Sequence, residues 1–506
     1  MAAVLRWINT PPGGVTLLIL STLALRLLFA AALGLGIDES YMVAAGRDWQ
    51  LSYFDHPPLA WWMAWAAAHL AGTDAALVVR LPFVLTFSLT TWLMYSLTAR
   101  SFGACAGLWA AVLLNACPVL GVTTGTWVLP DGPLMAALLG GAICLQEAVD
   151  AEGGRAWRWW AGVGCCAGLA MLSKYSAVLS LAGAMIFLLT APACRRWLLR
   201  PHPYVAALVA AAIFAPVLVW NANNHWLSFL FQGGRATVGR LHPFGPLSTL
   251  GGEALFLLPW IWLSLMLCAG AAIRRGNTDP RSWLLVCLGL PPIAFFLVVS
   301  VWNHVLFHWA APGYLMLFPL LGQLVGRHRA SSRTVRAWLV GTAAFVVGAV
   351  VVVSTEVRFN WLPEVFEDFA PGKDPDLGAV DWTSLRGDLT QRGLIGRPNL
   401  VVAATRWFDA GKIDYALEGK TRVLCLGNDS REYGLTARLG AFDGDDVLIV
   451  APRTSLAQIE AQFGPEFSWL EQLAPAMIRH AGRPAMLVNL FLGHRFQAER
   501  TRPSAT

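Results

Sequence analysis

Four carboxylates and one imidazole fall between positions 38 and 56: Asp38, Glu39, Asp48, Asp55 and His56. Asp38 and Glu39 sit in Asp38-Glu39-Ser40-Tyr41, Asp55 and His56 in Tyr53-Phe54-Asp55-His56-Pro57-Pro58-Leu59, and Asp48 lies between the two. The segment follows an apolar run, 14 to 36, long enough to cross a bilayer, so the acids lie at a membrane surface, where a charge needs a reason. A carboxylate there can take a proton from an attacking hydroxyl. A loop between two membrane helices is also polar simply because it is wet. The length of this loop, its aromatic residues and the Pro-Pro pair that restricts the backbone beside Asp55 and His56 suit a binding floor better than a linker.

Cations and further polar groups follow. Lys174, in Leu172-Ser173-Lys174-Tyr175, is the only Lys before residue 373. An ammonium at a membrane surface can neutralise a lipid phosphate, although an interfacial anchor beside Tyr175 is the plainer role. Asp131, in Val128-Leu129-Pro130-Asp131-Gly132-Pro133, sits where a helix should begin, as its N-cap, as a second acid of a site, or both. Trp220-Asn221-Ala222-Asn223-Asn224-His225-Trp226 leads through Phe229, Phe231 and Gln232 to Arg235 and Arg240. Aromatic and amide side chains of this kind can stack on a sugar and bind its hydroxyls, with Arg within reach of phosphate. Trp302-Asn303-His304-Val305-Leu306-Phe307-His308-Trp309 adds His304 and His308. With Asp55, His56 and His225 these leave a divalent metal open, but no segment has ligand spacing. Arg26, inside the first apolar run, either has a function or snorkels and pairs with a carbonyl.

The elements that must carry these groups are membrane helices. With 56% hydrophobic and 13% charged residues and 24 Trp, the chain is not that of a soluble globular protein. Apolar runs near 14–36, 76–99, 103–122, 132–149, 157–173, 175–192, 203–221, 250–273, 281–301, 309–326 and 336–354 predict about eleven spans of ~20 residues. Residues 1–354 hold 20 Lys plus Arg against 11 acids, and the remainder 17 against 20. Arg100, Arg155, Arg158, Arg195, Arg196, Arg200, Arg274, Arg275, Arg327, Arg329, Arg333 and Arg336 fall in alternate loops, which are then cytoplasmic. The loops with Asp38 to Asp74, Asp131, Lys174, 221–247 and 302–308 are extracytoplasmic, and so is the C-terminus. Only Arg6 precedes the first run, and no small-residue cleavage site follows, so the first helix is expected to be retained. Nucleic-acid binding is not expected from this charge distribution. The nine Cys form no CxxC pair, and adjacent Cys165 and Cys166 are expected to pack as small apolar residues.

Two domains are expected: a membrane domain over 1–354 and an extracytoplasmic α/β domain over 355–506. In the latter, 399–403, 421–426 and 446–450 read as strands and 408–418 as a helix, without a Gly-rich phosphate loop. This domain is expected to cover the site or select acceptors.

The Asp-Glu-x-Tyr and Tyr-Phe-Asp-His-Pro-Pro-Leu segments resemble the first outer loop of polytopic glycosyltransferases of family 39, a group resembling protein O-mannosyltransferases and aminoarabinose-to-lipid-A transferases. Pro130-Asp131-Gly132-Pro133-Leu134, Leu172-Ser173-Lys174, and the Trp-Asn…His-Trp…Phe-Gln run resemble later segments of that family, the last with altered spacing. The 302–309 segment also resembles one near the lipid phosphate, but lacks the usual preceding basic residue. The resemblance covers most of 30–330 and implies a GT-C fold with sugar taken from a polyprenyl phosphate at the periplasmic or outer face of a bacterial inner membrane. It further implies catalytic roles for Asp38, as base, and Asp131. Substrate contacts are expected from Glu39, Tyr41, Asp55, His56, Lys174, Tyr175, Asn221, His225, Arg235, His304 and His308. The polyprenyl phosphate leaves as a stabilised anion, so cations are needed rather than a general acid, and the expected outcome is inversion. The acceptor is a lipid, glycan or protein. A transporter or flippase of lipid-linked sugars is the rival from another class, with charges expected near the midplane rather than at one face. A surface-glycan polymerase or ligase is a chemically close alternative.

Overall fold

The computed structural model describes residues 10–122, 124–237, 239–359, 361, 380–480 and 483–498. Arg6, noted in the sequence, and the part of the expected C-terminal domain over 362–379 lie outside them. Two compact units emerge, and they do not follow chain order. The first comprises Met1–Leu28, Gln50–Met63 and Arg80–Gly348; the second comprises Phe29–Trp49, Ala64–Val79 and Ala349–Thr506.

Every apolar run read from the sequence forms a helix or a pair of helices. In order these are α1 (Pro11–Ala32), the polar-loop helices α2 (Ile37–Ala45) and α3 (Leu59–Ala71), α4 (Ala76–Phe102), α5 (Ala104–Ala116), α6 (Pro118–Val122), α7 (Asp131–Asp150), α8 (Gly153–Ser173), α9 (Ala177–Thr190), α10 (His202–Asn223), α11 (Leu227–Thr237), α12 (Gly245–Leu257), α13 (Pro259–Arg275), α14 (Pro280–Val299), α15 (Ala311–Leu315), α16 (Phe318–His328) and α17 (Arg333–Phe359). Among the described residues, six helices are long and apolar enough to cross a membrane by length and composition: α1, α4, α7, α10, α14 and α17. The number rises to seven if the bent pair α12–α13 is one span.

The difference from eleven has local causes. The run at 250–273 is broken by a 109° bend. It pivots on Leu258, whose φ of 67° is left-handed and which precedes Pro259, a position from which the helical conformation is disfavoured. The run at 309–326 divides before Pro319, which sits in the first turn of α16. Helices α5 and α9 have 13 and 14 residues, about 20 Å at 1.5 Å per residue, short of a ~30 Å hydrocarbon core.

Helices α9 and α14 run in close contact in the first unit, because a Cβ on Gly183 would overlap the Cys287 carbonyl. Small residues at such crossings let helix backbones approach, which is how helices pack where no water drives them together. Arg26 of α1 takes the structural option open to it: its guanidinium donates to the Gly121 carbonyl at 3.4 Å and Asn115 Oδ1 at 3.2 Å and lies over the Phe87 ring.

The second unit contains α2 and a five-stranded sheet in the order β2-β1-β3-β5-β4. Strand β1 (Leu400–Ala404) lies parallel to β2 (Val423–Cys425) and to β3 (Asp446–Pro452). Strand β5 (Arg483–His494) runs antiparallel to β3 and forms a hairpin with β4 (Trp469–His480). The three strands and the helix expected from the sequence are all present, the helix as Trp407–Ala416. The long hairpin was not anticipated. The core combines Val401, Ala403, Leu424, Ile449, Phe463 and Phe491.

Candidate functional site

In the first unit, the polar segments converge on one cavity of about 310 Å³. Its lining combines the polar residues His56, Lys174, Gln232 and Arg235 with the apolar residues Val178, Leu179, Phe295, Phe296, Val299 and Trp309. The volume lies at the lower end of the range for small-molecule sites, ~300–1,000 Å³.

Helix α11 assembles the polar part of the lining. Its Ser228 hydroxyl donates to the Tyr53 carbonyl at 2.8 Å, its Gln232 amide to the Asp55 carbonyl at 2.5 Å, and its Phe231 ring packs on Phe54 at 4.9 Å. The acidic loop is thereby pinned, with Tyr53 stacked on Trp61 at 4.1 Å, and Asp55 is 1% exposed. Arg235, on the last turn of α11, places its guanidinium 4.6 Å from the Trp309 ring centre and 5.4 Å from that of Phe231. Its carbonyl accepts from the Asn303 amide, and the Trp302 indole donates to the Ala236 carbonyl at 2.8 Å, so the 302–309 segment is docked on the same helix end.

Lys174 ends α8, and its ammonium donates to both Asp131 oxygens, at 2.9 and 3.0 Å. The Lys174 side chain is 12% exposed and that of Asp131 4%. The cap role suggested for Asp131 is not taken up: it is the first residue of α7, Pro130 is the cap residue, and no side-chain cap bond forms. Nor is Lys174 a simple surface anchor, since its charge is matched by a buried carboxylate. His308 is electrostatically coupled to this pair; burial pulls its imidazole down to about 4, with Asp131 opposing and Lys174 and Arg235 adding to the effect. It is therefore neutral at physiological pH. Burial pushes the Tyr175 phenol up, against the nearby Ser228, Ser52 and Asn221 side chains. Asn221 itself is fully buried, its amide donating to the Val217 carbonyl.

Thus Asp55, His56, Asp131, Lys174, Tyr175, Asn221, Arg235 and His308 gather at or directly behind this cavity. His225 and His304 are exposed and do not line it. His225 and Trp226 adopt left-handed φ values of 53° and 61°, which turn the chain sharply between α10 and α11. Among the described residues, no three His, Cys, Asp or Glu side chains stand together in a metal-holding arrangement.

The remaining expected residues, Asp38, Glu39 and Tyr41, belong to the second unit, on α2. Glu39 is 1% exposed and accepts from the Gly36 amide at 2.8 Å, closing the first turn of its own helix. Tyr41, also 1% exposed, packs edge-on against Trp407 at 5.0 Å. Asp38 is the exposed acid of the motif.

A buried acid that the sequence reading passed over is Glu253 of α12. It accepts from the Tyr314 hydroxyl at 2.6 Å, and the Trp262 indole donates to that hydroxyl at 3.0 Å. A lone Glu inside an apolar run was the available signal.

Helices long and apolar enough to cross a membrane, together with a small α/β domain, are the parts expected of the GT-C fold. Comparison with known proteins agrees. The family model described as dolichyl-phosphate-mannose-protein mannosyltransferase matches residues 55–220. The lipid A galacturonosyltransferase RgtD of Rhizobium johnstonii is 23% identical over 291 residues, a match covering 55% of this chain and 58% of that relative. The crystal structure of ArnT from Cupriavidus metallidurans bound to undecaprenyl phosphate shares the fold, with a TM-score of 0.62 at 17% identity over 97% of this chain and 99% of ArnT. Its apo form gives the same TM-score at 16% identity, over 95% and 98% of the two chains. The chain shares the fold of ArnT, and it spans little more than half the length of the lipid A galacturonosyltransferase that it resembles in sequence.

Proposed function

We propose that this chain is a membrane glycosyltransferase that takes a sugar from a polyprenyl-phosphate donor and transfers it, with inversion, to a hydroxyl of a lipid, glycan or protein acceptor. The observation that carries this reading is the mixed lining of the cavity. A polyprenyl-phosphate sugar is anionic at one point and hydrocarbon beyond it, and the lining combines the cations Lys174 and Arg235 with Leu179, Phe295, Phe296 and Val299. The names of the relatives support the donor and acceptor classes: RgtD is a lipid A galacturonosyltransferase, and ArnT has been crystallised with undecaprenyl phosphate. A lipid acceptor of the lipid A type, at the periplasmic face of a bacterial inner membrane, is therefore the first to test.

Donor cleavage leaves a phosphate that is already ionised, so the residues at that end bind rather than protonate. Arg235 offers a planar fork for phosphate oxygens and is stiffened by Trp309 and Phe231. Lys174 adds a charge held in direction by Asp131. His308, neutral, can donate or accept a hydrogen bond without adding charge. The acceptor hydroxyl requires a base, and Asp38 is assigned that role because it is the exposed acid of the motif that resembles the family's first outer loop.

The test is reconstitution of the purified full chain in vesicles with undecaprenyl-phosphate-linked sugars and lipid A, with products read by mass spectrometry and anomeric configuration by NMR. A glycosylated acceptor of inverted configuration is expected. Movement of the donor across the bilayer with no new glycosidic bond would instead establish the transporter reading.

A further inference from the structure

In the second unit, helix α2, which carries Asp38, is held along its length by the C-terminal α/β domain. Let α18 be Ser384–Gln391 and α19 be Trp407–Ala416, the helix that follows β1. Ahead of α2, Gly34 sits against Asp381 so closely that a Cβ would stand 2.7 Å from the Asp381 Cβ. The Leu35 carbonyl accepts from the Lys412 ammonium of α19 at 2.5 Å, and the same ammonium donates to the Val380 carbonyl at 2.9 Å. Lys412 is 3% exposed. Burying a cation is costly, and it is tolerated here because backbone carbonyls of two separate segments receive it.

The middle of α2 rests on Gly411, where a Cβ would stand 2.7 Å from the Tyr41 Cα and 2.8 Å from its N and Cβ. The Tyr41 ring is enclosed by Trp407 and Tyr433, at 5.0 and 6.0 Å, and its hydroxyl accepts from the Glu432 amide. Past the end of the helix, Arg47 bridges Asp74 at 2.7 Å and Asp414 of α19 at 2.9 Å. Every one of these contacts fixes the axis or the rotation of α2, the helix on which Asp38 is exposed.

We propose that the C-terminal domain is part of the catalytic apparatus as a positioning element: α19, through Gly411 and Lys412, sets where Asp38 meets the acceptor hydroxyl. The proposal rests on the reading of Asp38 as the base. It also gives Glu39 and Tyr41 a different purpose from substrate contact, namely to lock the helix that presents their neighbour.

Gly411→Ala is the sharpest probe. Ordinary contact begins near 3.4 Å against the 2.7 Å available, so the methyl displaces α2 by roughly 0.7 Å. Alanine is also the better helix former, so the substitution does not weaken α19 itself. Misplacement of about 1 Å can cost ~10²-fold, and a fall in kcat of roughly tenfold or more is expected, with donor KM and undecaprenyl phosphate binding within about twofold of wild type. Lys412→Met, which keeps the stem but removes the donors, should act in the same direction, and Lys412→Arg should recover part of the loss. Phe463→Leu, in the sheet core away from α2, supplies a variant with a comparable loss of thermal stability and should keep its kcat. The decisive measurement is the cycle with Asp38→Asn. If Gly411→Ala acts through Asp38, it costs little more in the Asp38→Asn background. An undiminished further loss there, or an equal fall in kcat for Phe463→Leu, overturns the positioning role. Normal turnover by Asp38→Asn alone overturns the base assignment instead, which separates the two failures.

Discussion

The buried pair Lys174–Asp131 permits a test in which stability and donor use part company. Removing one member, as in Lys174→Ala, leaves a carboxylate with 4% side-chain exposure and no counter-charge. Breaking a buried pair in this way costs about 3 to 5 kcal/mol, so Lys174→Ala should lower the unfolding temperature clearly, which a surface anchor would not do. Replacing both, as in Lys174→Gln with Asp131→Asn, removes the stranded charge and should recover most of that loss, because two amides can still hydrogen-bond across the gap. Donor use should not recover. A charge-assisted phosphate contact is worth about 1.5 to 3 kcal/mol, which corresponds to a loss of roughly 10- to 150-fold in kcat/KM for the donor. The assays are thermal unfolding in detergent and turnover at subsaturating donor, run on the two single variants and the double. If the double variant is both stable and fully active, Lys174 contributes no phosphate contact. If Lys174→Ala unfolds like the wild type, the pair carries none of the weight assigned to it.

Other outcomes follow from the same geometry. Arg235→Lys should lower donor kcat/KM nearly as much as Arg235→Gln, because the ammonium loses both the bidentate fork and the stacking on Trp309; near-wild-type activity in Arg235→Lys would leave only a point charge there. His308, with its pKa held near 4 by burial, binds a proton more readily when unfolded, so the wild type should lose stability as pH falls from about 6.5 toward 4, and His308→Gln should lose less. Asp409, pushed up to about 6 by burial against the opposing pull of Arg406, has the reverse sign: its folded form binds the proton more readily, so its own contribution to stability rises as pH falls from about 6 toward 4 and partly offsets that of His308. Asp409→Asn should raise stability at pH 7.5 by ~1 to 3 kcal/mol, read by thermal unfolding of the full chain, and should flatten that pH window.

How much of this was legible in the sequence depends on the range of the interaction. Among the described residues, hydrophobic length located all six helices long and apolar enough to cross a membrane, because a bilayer imposes a local rule on composition, but it counted about eleven because it also took shorter and broken helices as spans. The breaks at Leu258 and before Pro319 were harder, since proline only biases its neighbours and the packing decides whether a helix bends or ends. The cavity's polar residues could be named because a charge in an apolar chain is conspicuous, but their pairing could not: Lys174 and Asp131 are 43 positions apart, and nothing local marks them as partners. The hairpin β4–β5 was missed because it alternates weakly, with Glu471, Gln472 and Pro475 interrupting its apolar pattern.

The acidic motif shows where such reading stops in a more instructive way. Asp38, Glu39 and Tyr41 look equivalent in sequence, three functional side chains within four positions. Successive helical residues are rotated by about 100°, so adjacent side chains cannot all face one partner. Glu39 is spent on the Gly36 amide and Tyr41 on the ring and backbone groups of the C-terminal domain, and only Asp38 is exposed. The packing surface that resolves this equivalence comes from Gly411 and Lys412, more than 360 positions later, whose own residue types advertise nothing. If α19 positions Asp38 through this packing, Glu39 and Tyr41 serve as fastenings of α2 rather than as substrate ligands, and substitutions at either act on kcat through Asp38 rather than on substrate KM.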